Sequence, residues 1–361
     1  MTHFNATGKL DFTTLLEVSG KFRHMHHPVS IKPIGSGHIH DTFLVVDSTG
    51  AEFIIQRINT KIFTKVDGMM GNIRLVTHVL LKQTQLSVKL IHTHDGHTTL
   101  AHYTGFWRAM EKIPDCITYD QITDPRLAAE AGRALGQFHW LLKGLPSGAF
   151  FETLPNFHNL KLRYSALLDA ILNSSPERKN EARIATLFAQ KHIDELLKLD
   201  NLIETKKIPL RVVHNDPKIN NILFNKQGIA LCMIDLDTVM EGSLLHDFGD
   251  AIRTTCALAN EDEPDISKCG INLELFKNYT KGYLSQTAPM ISALEKANLS
   301  IAPAVLSFTI GIRFLTDFLQ NDIYYKINYA EHNLVRANAQ FAQTLFILNH
   351  QKEMEQIIQE T

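Results

Sequence analysis

The sequence predicts an α+β chain of two lobes, with a small antiparallel β-sheet in front and a mainly helical body behind. Three observations predict it. Apolar alternation with period two, broken by turn residues, dominates residues 1–112. Long apolar patterns at helical spacing dominate residues 113–361. The 361 residues also suit two structural units, on a prior of about 150 residues per domain. Apolar residues make up 44% and charged residues 20%, so the chain can bury a core and is far from the composition of disorder.

The elements follow in order. After a short N-terminal helix, Ile31 to Ile34 leads into the glycine loop Gly35-Ser36-Gly37-His38. TFLVVD then alternates toward the turn Ser48-Thr49-Gly50, and EFIIQRI returns as the second strand of a hairpin. Met69, Met70, Ile73, Val76, Val79 and Leu80 recur at helical spacing and predict a helix from Val66 to about Thr84. Short strands are expected near Leu86 to Ile91 and Gly105 to Glu111. A linker near Glu111 to Cys116 ends the front lobe. Asp124-Pro125 is a helix start, and Leu127 to Leu142 is amphipathic. Helices are expected near 159–173, 178–200, 246–258, 273–284, 303–319 and from 333 onward. One β segment interrupts them, LRVVH, ILFN and ALCMID, with a turn at Lys226-Gln227-Gly228.

Composition excludes several classes. Lys and Arg number 36 against 38 Asp and Glu, giving a formal charge of −2 without a basic run, so no nucleic-acid partner is expected. The N-terminus lacks the basic start, apolar run and cleavage site of a signal peptide, and no window approaches the roughly 18 uninterrupted apolar residues of a membrane helix. Cys116, Cys232, Cys256 and Cys269 have no CxxC spacing, which speaks against a disulfide framework or a cysteine zinc site. A cytoplasmic protein without a membrane partner is the expectation. His24, His26, His27, His92, His94 and His97 fall in polar, loop-like stretches and are read as surface residues.

The chemistry concentrates in His214-Asn215-Asp216-Pro217-Lys218-Ile219-Asn220-Asn221, followed by the strand ILF and by Ile234-Asp235-Leu236-Asp237. Acids and an amide at the ends of adjacent short strands suit a hard cation held by oxygen ligands beside a base. HxDxxxxN followed by IDxD resembles the catalytic and metal loops of the protein-kinase-like small-molecule phosphotransferases, the group of aminoglycoside phosphotransferases, choline kinases and homoserine kinases. Within that group, HNDPKINNILF, IDLDTVM with HDFGDAIR, and RFLTDFLQNDIYYK with HNLVRA look like the N-acetylhexosamine 1-kinases. The resemblance implies a protein-kinase-like fold, ATP as phosphoryl donor, Mg²⁺ as metal, and the anomeric hydroxyl of GlcNAc or GalNAc as acceptor.

The residue roles that it implies follow the needs of phosphoryl transfer. Asp216 orients the acceptor hydroxyl or takes its proton, and Lys218 spreads the charge of the transferring phosphate. Asn221 and Asp235 hold Mg²⁺, with Asp237 aiding a second ion. The letters DFG at Asp247-Phe248-Gly249 are a decoy. Asp235 lies nineteen residues after Asp216, at the end of the hairpin where a metal acid belongs, whereas Asp247 precedes a helical run and reads as an N-cap.

The front lobe departs from the pattern. Gly35, Ser36, Gly37 and His38 form only part of a glycine-rich phosphate loop. The strand lysine that meets the α and β phosphates is missing, and Gln56 or Arg57 stands in its place, on opposite faces of the strand. No helix glutamate is present to pair with it. The linker backbone at Glu111 and Ile113 is expected to hold the adenine. In the back lobe, Arg313 and Tyr324 are candidate sugar contacts, although Arg313 and Asp317 are four apart and could pair with each other. The alternatives are a kinase of another hydroxyl acceptor, of aminoglycoside, choline or homoserine type, and an inactive chain that binds nucleotide or sugar. Intact Asp216, Asn221 and Asp235 oppose the latter.

Overall fold

The computed structural model describes residues 10–35, 39–84 and 86–361, so Ser36, Gly37 and His38 lie outside the described residues. The chain divides into two compact units. The first comprises residues 1–116 with the later segments 148–154 and 234–240, and the second comprises 117–147, 155–233 and 241–361. The sequence-based boundary at 112 thus falls four residues short, and two distant segments join the first unit. The second of these carries the IDLD acids.

In the first unit, α1 (Phe12–Ser19) precedes β1 (Pro28–Pro33), β2 (Asp41–Asp47) and β3 (Glu52–Arg57). Next come α2 (Val66–Thr84), β4 (Leu90–Ile91), β5 (Leu100–His102) and β6 (Gly105–Glu111). The sheet order is β1-β2-β3-β6-β4, and β5 pairs with β6. The β2–β3 turn forms because Asp47 accepts from Thr49 N, Thr49 Oγ1 and Ala51 N, and Gly50 takes φ +83°, a left-handed value that glycine adopts without steric cost. One apolar face, with Leu15, Val18, Phe22, Val45, Phe53, Ile55 and Trp107, makes the core. Trp107 is fully buried and its indole N–H donates to Thr104 Oγ1 at 3.0 Å, which settles it as a core residue.

β7 (Cys116–Ile117) and β11 (Met240–Gly242) lie where the chain passes from one unit to the other. The second unit holds α3 (Pro125–Leu142), α4 (Leu160–Asn173), α5 (Pro176–Glu181) and α6 (Arg183–Glu204), then β8 (Arg211–Val213), β9 (Ile222–Asn225) and β10 (Ala230–Met233). It continues with α7 (Leu244–Thr255), α8 (Leu273–Thr287), α9 (Ala293–Ala297), α10 (Ala302–Leu319), α11 (His332–Asn349) and α12 (Gln351–Gln359). α3 begins as its sequence requires, with the Asp124 carboxylate accepting from Arg126 N and Pro125 at the first helical position. It lies so close to α8 that a Cβ on Gly132 would collide with the Tyr279 carbonyl. α10 is apolar enough by length and composition to cross a membrane, yet 83% of it is buried as the central helix of this unit. Trp140, on α3, is half-buried with the Lys143 ammonium over its ring.

Candidate active site

In the second unit, β8 delivers the chain to His214 and Asn215, and a 3-10 turn over Ile219–Asn221 leads into β9. Asn215 sits at φ +66°, a left-handed position that Asn tolerates better than most residues. The loop holds its own shape. Asn221 Nδ2 donates to the Asp216 carbonyl at 2.8 Å, and Lys218 Nζ lies 2.9 Å from Asp216 Oδ1. Burial is the largest influence on the Asp216 carboxyl and would raise it, but the charge and hydrogen bond of Lys218, with the charges of His214 and Arg253, together hold the group below the ordinary carboxylate value. Asp216 raises Lys218 in turn. The pair is ionised at neutral pH.

Asp247 is not an N-cap. Ser243 caps α7, its hydroxyl accepting from Leu245 N, and Asp247 lies one turn inside the helix with no exposed surface. Its two oxygens accept the backbone N–H groups of His214 and Asn215 at 2.7 Å each, and His139 Nε2 lies 2.8 Å away. Asp247 therefore braces the loop that carries Asp216 from behind. Ser243 was the signal for the true cap, since it stands directly before the apolar start of the helix.

A second brace is His158, whose Nε2 donates to the Asn215 carbonyl at 3.1 Å. Burial, then the neighbouring His246, pushes its pKa from 6.5 down to about 3. The unfolded chain therefore binds a proton between these values that the folded chain refuses, so stability is full above about pH 6.5 and falls as the pH drops toward 3. Wild type is expected to lose about 1–2 kcal/mol more than His158→Gln between pH 6.5 and 5, read from urea midpoints. Parallel pH profiles would show that His158 is not the group responsible.

Behind the loop, Arg253 pairs with Asp250 at 2.8 Å and Glu261 at 3.0 Å. A cavity of about 590 Å³ opens beside Lys218 and Asn220, within the usual size range of small-molecule sites. Thr255 lines it, and its buried Oγ1 has no hydrogen-bond partner among the described residues. On α10, Arg313 does not pair with Asp317. Asp317 instead accepts from Tyr324 N, Tyr325 N and Asn333 Nδ2, fixing the turn after the helix. Arg313 is half-buried, 5.7 Å from the ring centroids of both Phe157 and Tyr325. No carboxylate lies within ion-pair distance of it among the described residues. Tyr324 is 66% exposed, its ring edge-on to Tyr325.

In the first unit, Gly35 has φ +81°. Gln56 and Arg57 do point to opposite sides. Arg57 pairs with Asp41 at 2.6 Å and lines a cavity of about 850 Å³ with Asn59, Lys61 and Lys65. Gln56 shares its face with Arg108, the residue opposite it on β6. Glu111 ends β6 in an ion pair with Lys89, and the Ile113 carbonyl accepts from Cys116 Sγ. Asp235 is exposed in a left-handed turn, φ 59° and ψ 57°, so its carboxylate is presented to solvent. A carboxylate oxygen is the kind of donor that a hard divalent cation takes.

Asp237 is different. It is 1% exposed, and its two oxygens take a fork from Arg108 Nη1 and Nη2 and a 2.5 Å contact from His40 Nε2. Burial would raise its carboxyl, but Arg108 and His40 hold it well below the ordinary value. The sequence nominated Asp237 for a second ion. Both of its oxygens accept from protein donors, partners that the sequence did not reveal. Arg108 and His40 are the residues that sequence reasoning missed. The available signal was one arginine in the otherwise apolar run Gly105-Phe106-Trp107-Arg108-Ala109-Met110.

Residues 30–265 match the model of the phosphotransferase enzyme family, which takes in both the catalytic loop and the IDLD acids. The chain belongs to that family. Solved structures agree at the level of fold. This phosphotransferase is similar to an aminoglycoside phosphotransferase from Alicyclobacillus acidocaldarius, at 10% identity and TM-score 0.63, covering 99% of this chain and 100% of that one. It is also similar to a microcompartment-associated aminopropanol kinase, at 14% identity and TM-score 0.67 over 96% and 99% of the two chains. A choline kinase from Cryptosporidium parvum matches at 16% identity and TM-score 0.57, over 96% and 98%. The α+β architecture of this phosphotransferase is thus the protein-kinase-like one that the motifs implied.

Proposed function

We propose that this phosphotransferase transfers the γ-phosphoryl group of ATP to the anomeric hydroxyl of an N-acetylhexosamine, GlcNAc or GalNAc, giving the sugar 1-phosphate. The observation that carries this reading is the charge state of the second unit. Five of its acids around α7, α10 and α11 already have partners: Asp250 and Glu261 pair with Arg253, Asp262 with His332, Asp317 with three N–H donors, and Asp322 with Arg178 and Asn333. A cationic acceptor, such as choline or an aminoglycoside, needs carboxylates or an aromatic cage to offset its charge. Arg313, without a carboxylate partner, repels such a ligand and suits one that offers neutral oxygen acceptors. Thr255 Oγ1, together with Asn220 at the cavity wall, adds hydrogen-bonding groups of the same kind.

Asp216 is a weak base because Lys218 stabilises its ionised form. An anomeric hydroxyl is more acidic than an ordinary alcohol, so a weak base that orients it and receives its proton is sufficient. Lys218 would draw charge from the transferring phosphoryl group, and Arg313 and Tyr324 would contact the sugar. Asn221 and Asp235 are the ligands we assign to Mg²⁺, which when bound supplies charge neutralisation for the phosphates. Gly35 to His38, with Gln56 or Arg57, are assigned to the phosphate side of the nucleotide, and the backbone of Glu111 and Ile113 to the adenine.

ADP release is expected to depend on GlcNAc or GalNAc, and a methyl glycoside, whose anomeric oxygen is blocked, is expected to accept no phosphate. Phosphorylation of that glycoside at another position would overturn the 1-kinase reading. ADP release stimulated by choline or an aminoglycoside instead of the sugar would move the acceptor to the cationic class.

A further inference from the structure

We infer that Arg108 is a positioning residue for Asp235: by pairing with the buried Asp237 it fixes the left-handed turn that presents the Asp235 carboxylate. The inference rests on the reading of Asp235 as a metal ligand. The left-handed region is uncommon outside glycine, although Asp enters it more readily than most residues, and here the surroundings hold Asp235 in it. Here the constraint comes two residues later. Asp237 anchors the turn Leu236–Thr238, and Arg108 grips both of its oxygens.

The fork is itself held. Arg108 Nε donates to Gln56 Oε1 at 2.9 Å, and Gln56 Nε2 donates to Thr42 Oγ1 at 3.0 Å. Thr42, Gln56 and Arg108 are partners in register across β2, β3 and β6, so the guanidinium is fastened to three strands of the sheet. Gln56, the residue in the place of the missing lysine, thus acts on the arginine beside it. His40 completes the grip. Its Nδ1 accepts from Asn59 N at 3.0 Å, which places the ring proton on Nε2, where it is donated to Asp237.

Donor atoms of His40, Asp235 and Asp237 lie within 4.8 Å of one another. Both ring nitrogens of His40 and both oxygens of Asp237 are committed to protein partners. Asp235 is the exposed member of the three, and the one to which the proposed function assigns the cation. Arg108 also offsets the repulsion between the two neighbouring carboxylates, since its charge is felt by Asp235 as well as Asp237.

The test uses Mn²⁺ as the probe, its binding to the full-length protein in the presence of ADP followed by electron paramagnetic resonance. Replacing the pair together, as Arg108→Met with Asp237→Leu, leaves no orphaned buried charge, and buried ion pairs often tolerate such replacement. The double variant is expected to melt cooperatively and bind metal-free ADP as wild type does, with Mn²⁺ affinity lowered about 10–100-fold, the usual effect of removing an outer support. Wild-type Mn²⁺ affinity in the folded double variant overturns the inference. Should that variant fail to melt cooperatively, Arg108→Lys decides, because an ammonium cannot hold the fork and the Gln56 bond together. Weakened Mn²⁺ binding there supports the role, and unchanged binding removes it. Asp235→Asn separates the two readings, for unchanged Mn²⁺ binding in that variant would defeat the metal assignment itself.

Discussion

Asp216→Asn is expected to lower kcat by about 10²–10⁴-fold while the KM for the hydroxyl acceptor changes little. The substitution preserves size and removes the charge. In the ground state the acceptor hydroxyl can still hydrogen-bond to the amide, so binding survives. In the transition state the hydroxyl proton needs an acceptor, and the amide is a poor one. Loss of an interaction made mainly in the transition state lowers kcat and kcat/KM together. The loop should remain formed, because Asn221 Nδ2 is bonded to the Asp216 carbonyl, which the substitution leaves in place. Steady-state ADP release, with a melting curve as control, checks this. Undiminished kcat in a folded variant would remove Asp216 from the reaction.

Asp247→Ala is expected to cost about 3–5 kcal/mol of stability, the scale of losing one partner from a buried charged network. The alanine strands the backbone N–H groups of His214 and Asn215 and the ring of His139, all of them buried. Unmade hydrogen bonds at such groups carry the full desolvation cost. Activity should fall as well, because the residue before Asp216 loses its tether. Urea denaturation distinguishes this from helix capping, which predicts a loss of only about 0.5–2 kcal/mol. A loss in that lower range would return Asp247 to the role of a cap.

Much of the fold was legible because it is written locally. The apolar spacing of Met69 to Leu80 gave the span of α2, and alternation gave β6 from Gly105 to Glu111. The elements that escaped are short. β5 is three residues long, Leu100–His102, too few to show alternation. The stretch 178–200, expected as one helix, is α5 and α6, parted at Ala182, with Ser175 and Pro176 starting the first. The loop from His214 to Asn221 was legible for the same reason, since Asp216, Lys218 and Asn221 sit within six consecutive residues. What holds the site together was not. Arg108 reaches Asp237 across 129 residues, His40 reaches it across 197, and His139 reaches Asp247 across 108. No local period encodes such pairs, and the mistaken cap at Asp247 shows how a buried brace can be misread from its neighbours alone.

The placement of the two tryptophans has a practical consequence. The chain has only Trp107 and Trp140, and one falls in each unit. Trp107, sealed in the sheet core, is shielded from water, whereas Trp140 is partly open to it beneath an ammonium group. Their emission should therefore differ in colour, the first bluer than the second. A Phe replacement at either position leaves a single natural fluorophore that reports on its own unit, so the order in which the two halves melt is readable without any attached dye.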